Sequence, residues 1–197
     1  MCDGIGKDHL HLNNNPPQKR KIVYLGICVL CIFASLPFIW HIEVFLRSQT
    51  MLLRTVNVLV ALYLGTVYVL IIRYIGLSVR NFLVLTGFIS LYAVIIITSD
   101  GFDKKMHLIE YGLLTYLLFD TLRSRFTVFS VYMLTLLFAS LIGVLDEILQ
   151  YFAPGRSFDL GDIISNITAS VIMLVLVTLV EWLRAGRRTD VNSLDGY

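Results

Sequence analysis

Charged side chains are scarce in this sequence, and their scarcity indicates the class of protein. Asp, Glu, Lys and Arg make up 15% of the 197 residues, against about a quarter in a soluble domain. Hydrophobic residues make up 57% and occur in long runs, as membrane-spanning helices require and the alternating strands of a β-barrel do not show. We therefore predict an integral membrane protein built from helices, and we exclude an ordinary soluble enzyme.

The sequence also has few cysteines, a small net charge and no recognised catalytic signature. Cys28 and Cys31 are spaced as C-x-x-C, but they lie in an apolar segment where a reactive thiolate has no stabilisation. A net charge of +2 gives nucleic acid little electrostatic attraction. The sequence lacks a His-Glu-x-x-His metal signature and a Gly-x-Ser-x-Gly nucleophile turn. We accordingly predict no cofactor, no resident metal, no nucleic-acid partner and no known catalytic residue.

Six apolar segments are long enough to cross a bilayer as helices. They cover about 22–40, 52–72, 81–98, 105–122, 127–145 and 161–183. The predicted fold is all-α, a polytopic transmembrane helical bundle of about six spans. We divide the chain into a disordered cytoplasmic leader (1–21), an N-terminal transmembrane hairpin (22–80), a four-helix core (81–184) and a polar tail (185–197).

The distribution of Lys and Arg orients the predicted bundle. With the amino terminus in the cytoplasm, eleven of the sixteen basic residues fall in cytoplasmic segments and five in external ones. Basic residues are enriched in cytoplasmic loops, so both termini are predicted to be cytoplasmic. The two polar turns at 99–106 and 146–161 then both face the outside.

Polar residues recur at every fourth position near the outer ends of three predicted helices. Side chains four apart share one face of a helix. Placing a charged group in lipid costs roughly 2.5–3.5 kcal/mol on insertion scales, so the three polar faces are expected to converge. The predicted cluster comprises Asp103, Lys104, His107, Tyr111, Asp146, Glu147, Gln150, Arg156, Asp162 and Asn166.

The cluster allows several roles. Its acids and bases can satisfy one another and lock the packing of the helices. Arg156 follows a Pro154-Gly155 turn, and its guanidinium can bridge two carboxylates. The same groups can instead contact a ligand or a lipid headgroup. Asp159 has a local role, because it precedes the last predicted helix and is expected to cap it.

Two chemical roles stay open as alternatives. One histidine and three carboxylates would suit a hard divalent ion, although no metal-ligand spacing supports such a site. Adjacent carboxylates near an arginine would have separated pKa values, as acid–base catalysis requires. The residues concerned are His107, Asp146, Glu147 and Asp162.

Three motifs in register resemble the VanZ-like family of bacterial membrane proteins. The resemblance covers roughly residues 81–183, which places it on the predicted four-helix core. Ala169 departs from the family pattern, which commonly has glycine at that position. The motifs are Asp103-Lys104 with His107 and Tyr111, then Asp146-Glu147 with Gln150, then Pro154-Gly155-Arg156 with Asp162 and Asn166.

The resemblance implies a role in the bacterial envelope. The founder of the family is linked to low-level resistance to the glycopeptide antibiotic teicoplanin. We therefore expect a multi-pass protein of the cytoplasmic membrane whose outward-facing cluster binds a lipid headgroup, a cell-wall precursor or a glycopeptide-type drug. An intramembrane hydrolase or transferase acting on lipid-linked groups is the alternative, and a transporter is the third. Binding is favoured over catalysis.

Overall fold

The chain forms six helices in the residues that the structure describes. A computed structural model describes residues 18–47, 50–99, 101–152 and 158–194. The helices are α1 (Gln18–Arg47), α2 (Thr50–Ile75), α3 (Val79–Thr98), α4 (Gly101–Leu122), α5 (Val128–Tyr151) and α6 (Leu160–Leu194). These ranges contain no strand, so the all-α prediction is confirmed.

The bounds of the helices differ from the predicted spans mainly at their ends. Helices α1, α5 and α6 continue past the predicted ends, and most of the predicted polar tail belongs to α6. Helix α1 begins at Gln18, inside the predicted leader, whereas residues 1–17 lie outside the described part of the chain. The division of the chain into leader, hairpin, core and tail stays a prediction.

Within the described ranges, four of the six helices are long and apolar enough to cross a membrane. They are Arg54–Ile75, Val79–Thr98, Val128–Tyr151 and Leu160–Gly186. The prediction of a multi-pass membrane protein is thereby supported, while the predicted count of six spans is not confirmed. Helix α4 is not among the four, and it carries several charged residues along its length.

The helices alternate in direction, as contacts at one end of the bundle show. We call this the terminal end, because α1 starts there, and we call the opposite end the cluster end. At the terminal end the start of α1 meets the end of α4, and the later part of α6 meets α2, α3 and α4. The contacts are Lys21 with Asp120 (3.0 Å), Arg123 with Glu181 (3.3 Å), Arg184 with Tyr74, and Arg80 over the Trp182 ring (5.4 Å).

Helix α4 is the central helix of the bundle. It contacts α1, α3, α5 and α6, and Tyr111, Leu114 and Thr115 are fully buried along it. The main hydrophobic core takes residues from all six helices and surrounds α4. The residues of α4 that face other helices do not contact lipid, so the buried polar side chains among them avoid the penalty for contact with hydrocarbon. Central packing therefore explains how the least apolar predicted span is accommodated.

Two contacts hold the start of α4 against α3. The ammonium group of Lys105 donates hydrogen bonds to the carbonyl oxygens of Ile96 (2.9 Å) and Ile97 (2.8 Å), in the last turn of α3. The last carbonyls of a helix have no partner within it, and a cation there also complements the helix dipole. One turn further along, Tyr92 donates its hydroxyl to the carbonyl oxygen of Leu108 at 2.7 Å. These bonds fix the position of α4 relative to α3 along the bundle axis.

The outer surface of the bundle is strongly apolar. Leu62, Leu83, Val128 and Phe152 are each more than half exposed, and many other large apolar side chains share this exposure. Monomeric soluble proteins seldom present contiguous apolar patches of this extent to water. Such a surface is suited to contact with lipid acyl chains.

Candidate ligand-binding cluster

At the cluster end, Asp146 of α5 lies between two side chains of α4. Tyr111 donates its hydroxyl to Asp146 Oδ2 at 3.1 Å, and His107 Nδ1 lies 3.7 Å from the same oxygen. His107 and Tyr111 are one helical turn apart, with ring centroids separated by 6.0 Å. All three side chains are buried. The four-residue spacing on α4 thus places two polar side chains on one carboxylate.

Glu147 and Asp162 complete the acidic side of the cluster next to His107. Potential metal-binding atoms of Glu147, Asp162 and His107 all lie within 4.8 Å of one another, and all three residues are buried. These residues come from α5, α6 and α4 respectively, so the group exists only because three helices meet here. Carboxylates held this close in a low-dielectric interior repel one another unless a positive charge or a proton offsets them.

Asp159 links the start of α6 to this acidic group. Its backbone N–H donates to Glu147 Oε2 at 3.2 Å, and its own carboxylate accepts a hydrogen bond from the Gly161 N–H at 2.7 Å. The second bond is the helix cap that the sequence predicts. The first orients Glu147 toward α6, a role that sequence spacing does not indicate.

Asn166 lies one turn after Asp162 on the same face of α6. Its side chain is 1% exposed, and within the described residues neither polar atom of its amide has a hydrogen-bond partner. Leaving a buried amide without partners costs about 1–3 kcal/mol. Such a group marks a place where a ligand, an ion or water can be bound.

A stripe of small residues on α5 allows the three helices to approach closely. Thr135, Ala139 and Gly143 are buried at four-residue intervals. A Cβ atom at Gly143 would lie 3.3 Å from Asn166 Cβ and 3.3 Å from Tyr111 Cε1, which is tighter than ordinary contact. Small residues at helix interfaces in membranes allow this close packing, and here they bring the polar faces into contact.

The structure places seven of the ten predicted cluster residues on the facing surfaces of α4, α5 and α6. Lys104 is half-buried at the start of α4, and Asp103 is in the same turn with a side chain outside the described part. Arg156, in residues 153–157, also lies outside the described residues. The seven buried side chains, which we call the polar cluster, are His107, Tyr111, Asp146, Glu147, Gln150, Asp162 and Asn166.

Sequence reasoning missed two kinds of residue that shape this region. Gly143 determines how closely α5 approaches α4 and α6, and its four-residue spacing from Ala139 and Thr135 is the signal that could have identified it. Tyr92 and Lys105 fasten α3 to α4, but nothing in their local sequence distinguishes such a role from ordinary helix packing.

The polar cluster has a definite chemical character. Three carboxylates, one imidazole, one phenol and two amides are enclosed between helices. Acid oxygens accept hydrogen bonds or coordinate cations, and the two amides can both donate and accept. The chemistry of these groups therefore suits contact with hydrogen-bond donors or positive charge.

One comparison with known proteins identifies the family. The model of the family described as VanZ/LLP1 matches residues 21–181, which is most of the chain and includes α1 and α2 as well as the helices of the polar cluster. No curated protein sequence and no solved structure matches. This match shows that the chain, which has four described helices long and apolar enough to span a membrane, belongs to the VanZ/LLP1 family.

Proposed function

We propose that this VanZ-like protein binds the polar part of an amphipathic molecule in its polar cluster. Candidate ligands are a lipid headgroup, a lipid-linked cell-wall precursor and a glycopeptide-type drug. We further propose that the protein resides in the bacterial cytoplasmic membrane with both termini in the cytoplasm. The polar cluster then lies toward the outer leaflet, where all three kinds of ligand are found.

One observation supports this function above the others. Three helices place buried carboxylates, an imidazole and an Asn166 amide that has no hydrogen-bond partner among the described residues in one region near one end of the bundle. Buried polar groups in membrane helices are costly and often mark functional sites. If the cluster had only a structural role, the side-chain amide of Asn166 would be expected to have hydrogen-bond partners.

A direct binding experiment tests the proposal. Purified protein in detergent is offered phosphatidylethanolamine, phosphatidylglycerol and teicoplanin in turn, and the complexes are measured by native mass spectrometry. Glu147→Gln and Asn166→Leu should each reduce binding of at least one of these probes about tenfold or more, because each removes a buried polar contact worth about 1.4 kcal/mol or more.

Glu181→Gln is the matched control, since it makes the same chemical change at a half-exposed side chain of α6 near the terminal end. Equal binding by wild type, Glu147→Gln and Asn166→Leu, all shown to be folded, would contradict the proposal. Loss of folding in both cluster variants would favour the purely structural role.

A second candidate function is catalysis on lipid-linked groups, and one observation favours it. His107 lies 3.7 Å from the buried carboxylate of Asp146, and a carboxylate beside an imidazole can orient it as a general base. Lipid profiling of a deletion strain tests this candidate. Accumulation of a lipid-linked substrate supports an intramembrane hydrolase or transferase, whereas unchanged lipids and wall precursors count against it.

A further inference from the structure

We propose that His107, Glu147 and Asp162 hold a divalent cation between α4, α5 and α6. Each residue offers one ligand atom, all of these atoms lie within 4.8 Å of one another, and all three residues are buried. Ligands about 2.0–2.2 Å from a common ion lie roughly 3–3.5 Å apart, so side-chain movements of about an ångström would complete the coordination. This site does not depend on the function proposed above.

The surroundings of His107 favour a metal ligand over a simple packing residue. Asp146 Oδ2 lies 3.7 Å from His107 Nδ1, and it is itself held by the Tyr111 hydroxyl. Metal-binding histidines commonly have a carboxylate at the other ring nitrogen, which fixes the ring and raises its basicity. With the Nδ1 proton directed at this carboxylate, Nε2 would be the nitrogen that coordinates the ion.

The carboxylates are positioned as well. The backbone N–H of Asp159 holds Glu147 Oε2 at 3.2 Å, and Asp162 belongs to the first turn of α6, where the helix backbone restrains it. One turn further along α6, the Asn166 amide is 1% exposed and has no hydrogen-bond partner among described residues. A coordinated ion commonly retains water, and such water would supply partners for this amide.

The charges in this region would also stabilise a bound cation. Two carboxylates and an imidazole meet in a buried space, and a cation coordinated among them would offset the repulsion between the two carboxylates. One nitrogen and two carboxylate oxygens suit Mn²⁺ or Zn²⁺ better than an ion that requires only oxygen. Ligands from three separate helices leave no short signature, which explains why sequence spacing did not indicate the site.

A bound cation would change the class of ligand that the polar cluster accepts. Carboxylates alone repel phosphate, whereas a divalent ion in their midst attracts it. A headgroup or wall precursor carrying phosphate would then be favoured over an amine. This consequence for ligand class rests on the proposed function, while the cation site itself does not.

The test measures metal in purified protein with no lipid or drug added. Wild-type protein purified in detergent without chelator should contain about one divalent ion per chain by elemental mass spectrometry. After chelation, Mn²⁺ should rebind, and its pulsed electron paramagnetic resonance spectrum should show coupling to an imidazole nitrogen. His107→Gln should abolish this coupling, and Glu147→Gln and Asp162→Asn should each weaken Mn²⁺ binding by about tenfold or more.

Glu181→Gln is the matched control for Glu147→Gln and should bind Mn²⁺ as wild type does. Glu181 pairs with Arg123, and at a rise of 1.5 Å per residue Arg123 is about 24 Å from His107. If a ligand variant aggregates, the nitrogen coupling in protein whose other three histidines are replaced by alanine still decides the question. No metal in wild type and no Mn²⁺ uptake, or equal uptake by folded ligand variants, would overturn the proposal. So would uptake that appears only in Arg156→Gln, since the arginine would then be the group that balances the acids.

Discussion

Tyr111 of α4 donates its hydroxyl to Asp146 Oδ2 of α5 across 3.1 Å, with both side chains buried. This bond joins two helices and holds the carboxylate 3.7 Å from His107. The central helix and the polar cluster therefore depend on one another. Changes to this pair are expected to affect both the stability of the bundle and the chemistry of the cluster.

Tyr111→Phe should lower the free energy of unfolding by about 1–2 kcal/mol. Hydrogen bonds between membrane helices average well below 2 kcal/mol, but this bond reaches a buried carboxylate, and bonds to charged groups are stronger. Denaturation in mixed detergent micelles measures the change. Tyr132→Phe removes a hydroxyl bonded to Thr178 in a more exposed position and should cost less. An equal cost for both variants would contradict this prediction.

Gly143→Ala should destabilise the protein by about 1 kcal/mol or more, because the new methyl group would meet Asn166 and Tyr111 at 3.3 Å in a tightly packed interface. Gly87→Ala is the control, since nothing lies within 4 Å of a Cβ atom there. That change should be neutral or stabilising through helix propensity. The same unfolding measurement compares the two, and a stabilised Gly143→Ala would refute the close approach.

Asp120→Asn should cost about 2 kcal/mol of stability at the terminal end. The carboxylate pairs with buried Lys21 at 3.0 Å and with Arg123 at 2.7 Å. Removing one partner of a fully buried ion pair costs about 3–5 kcal/mol, and the partial exposure of Asp120 reduces that figure. Glu181→Gln alters a more exposed pair and should stay within about 0.5 kcal/mol. Equal losses of stability in the two variants would show that the buried Lys21 ammonium group is not stabilised by Asp120.

Cysteine labelling tests the predicted orientation in the membrane. In a background with the three native cysteines replaced by serine, Phe158→Cys at the cluster end should react with a membrane-impermeant maleimide in intact cells. Arg125→Cys at the terminal end should react only after permeabilisation, because basic residues mark the cytoplasmic side. Both positions are exposed in the structure. The opposite labelling pattern would place the polar cluster at the inner leaflet.

The class of protein and the positions of its helices were predictable from local sequence patterns. Long apolar runs leave few alternatives to helices in a membrane, because only helices satisfy every backbone group within one segment. Four-residue spacing assigned His107 with Tyr111, and Asp162 with Asn166, to common faces, since helix geometry is local. The capping role of Asp159 was predictable for the same reason.

The contacts between groups on different helices could not be predicted in this way, because they depend on long-range packing. Sequence spacing does not show that Asp146 lies between Tyr111 and His107, or that Glu147 and Asp162 approach His107 within 4.8 Å. These contacts depend on the rotation and closeness of three helices, which the small residue Gly143 permits. Packing between helices depends on the surfaces of both partners. One stretch of sequence describes only one of those surfaces, so it does not show which residues will meet.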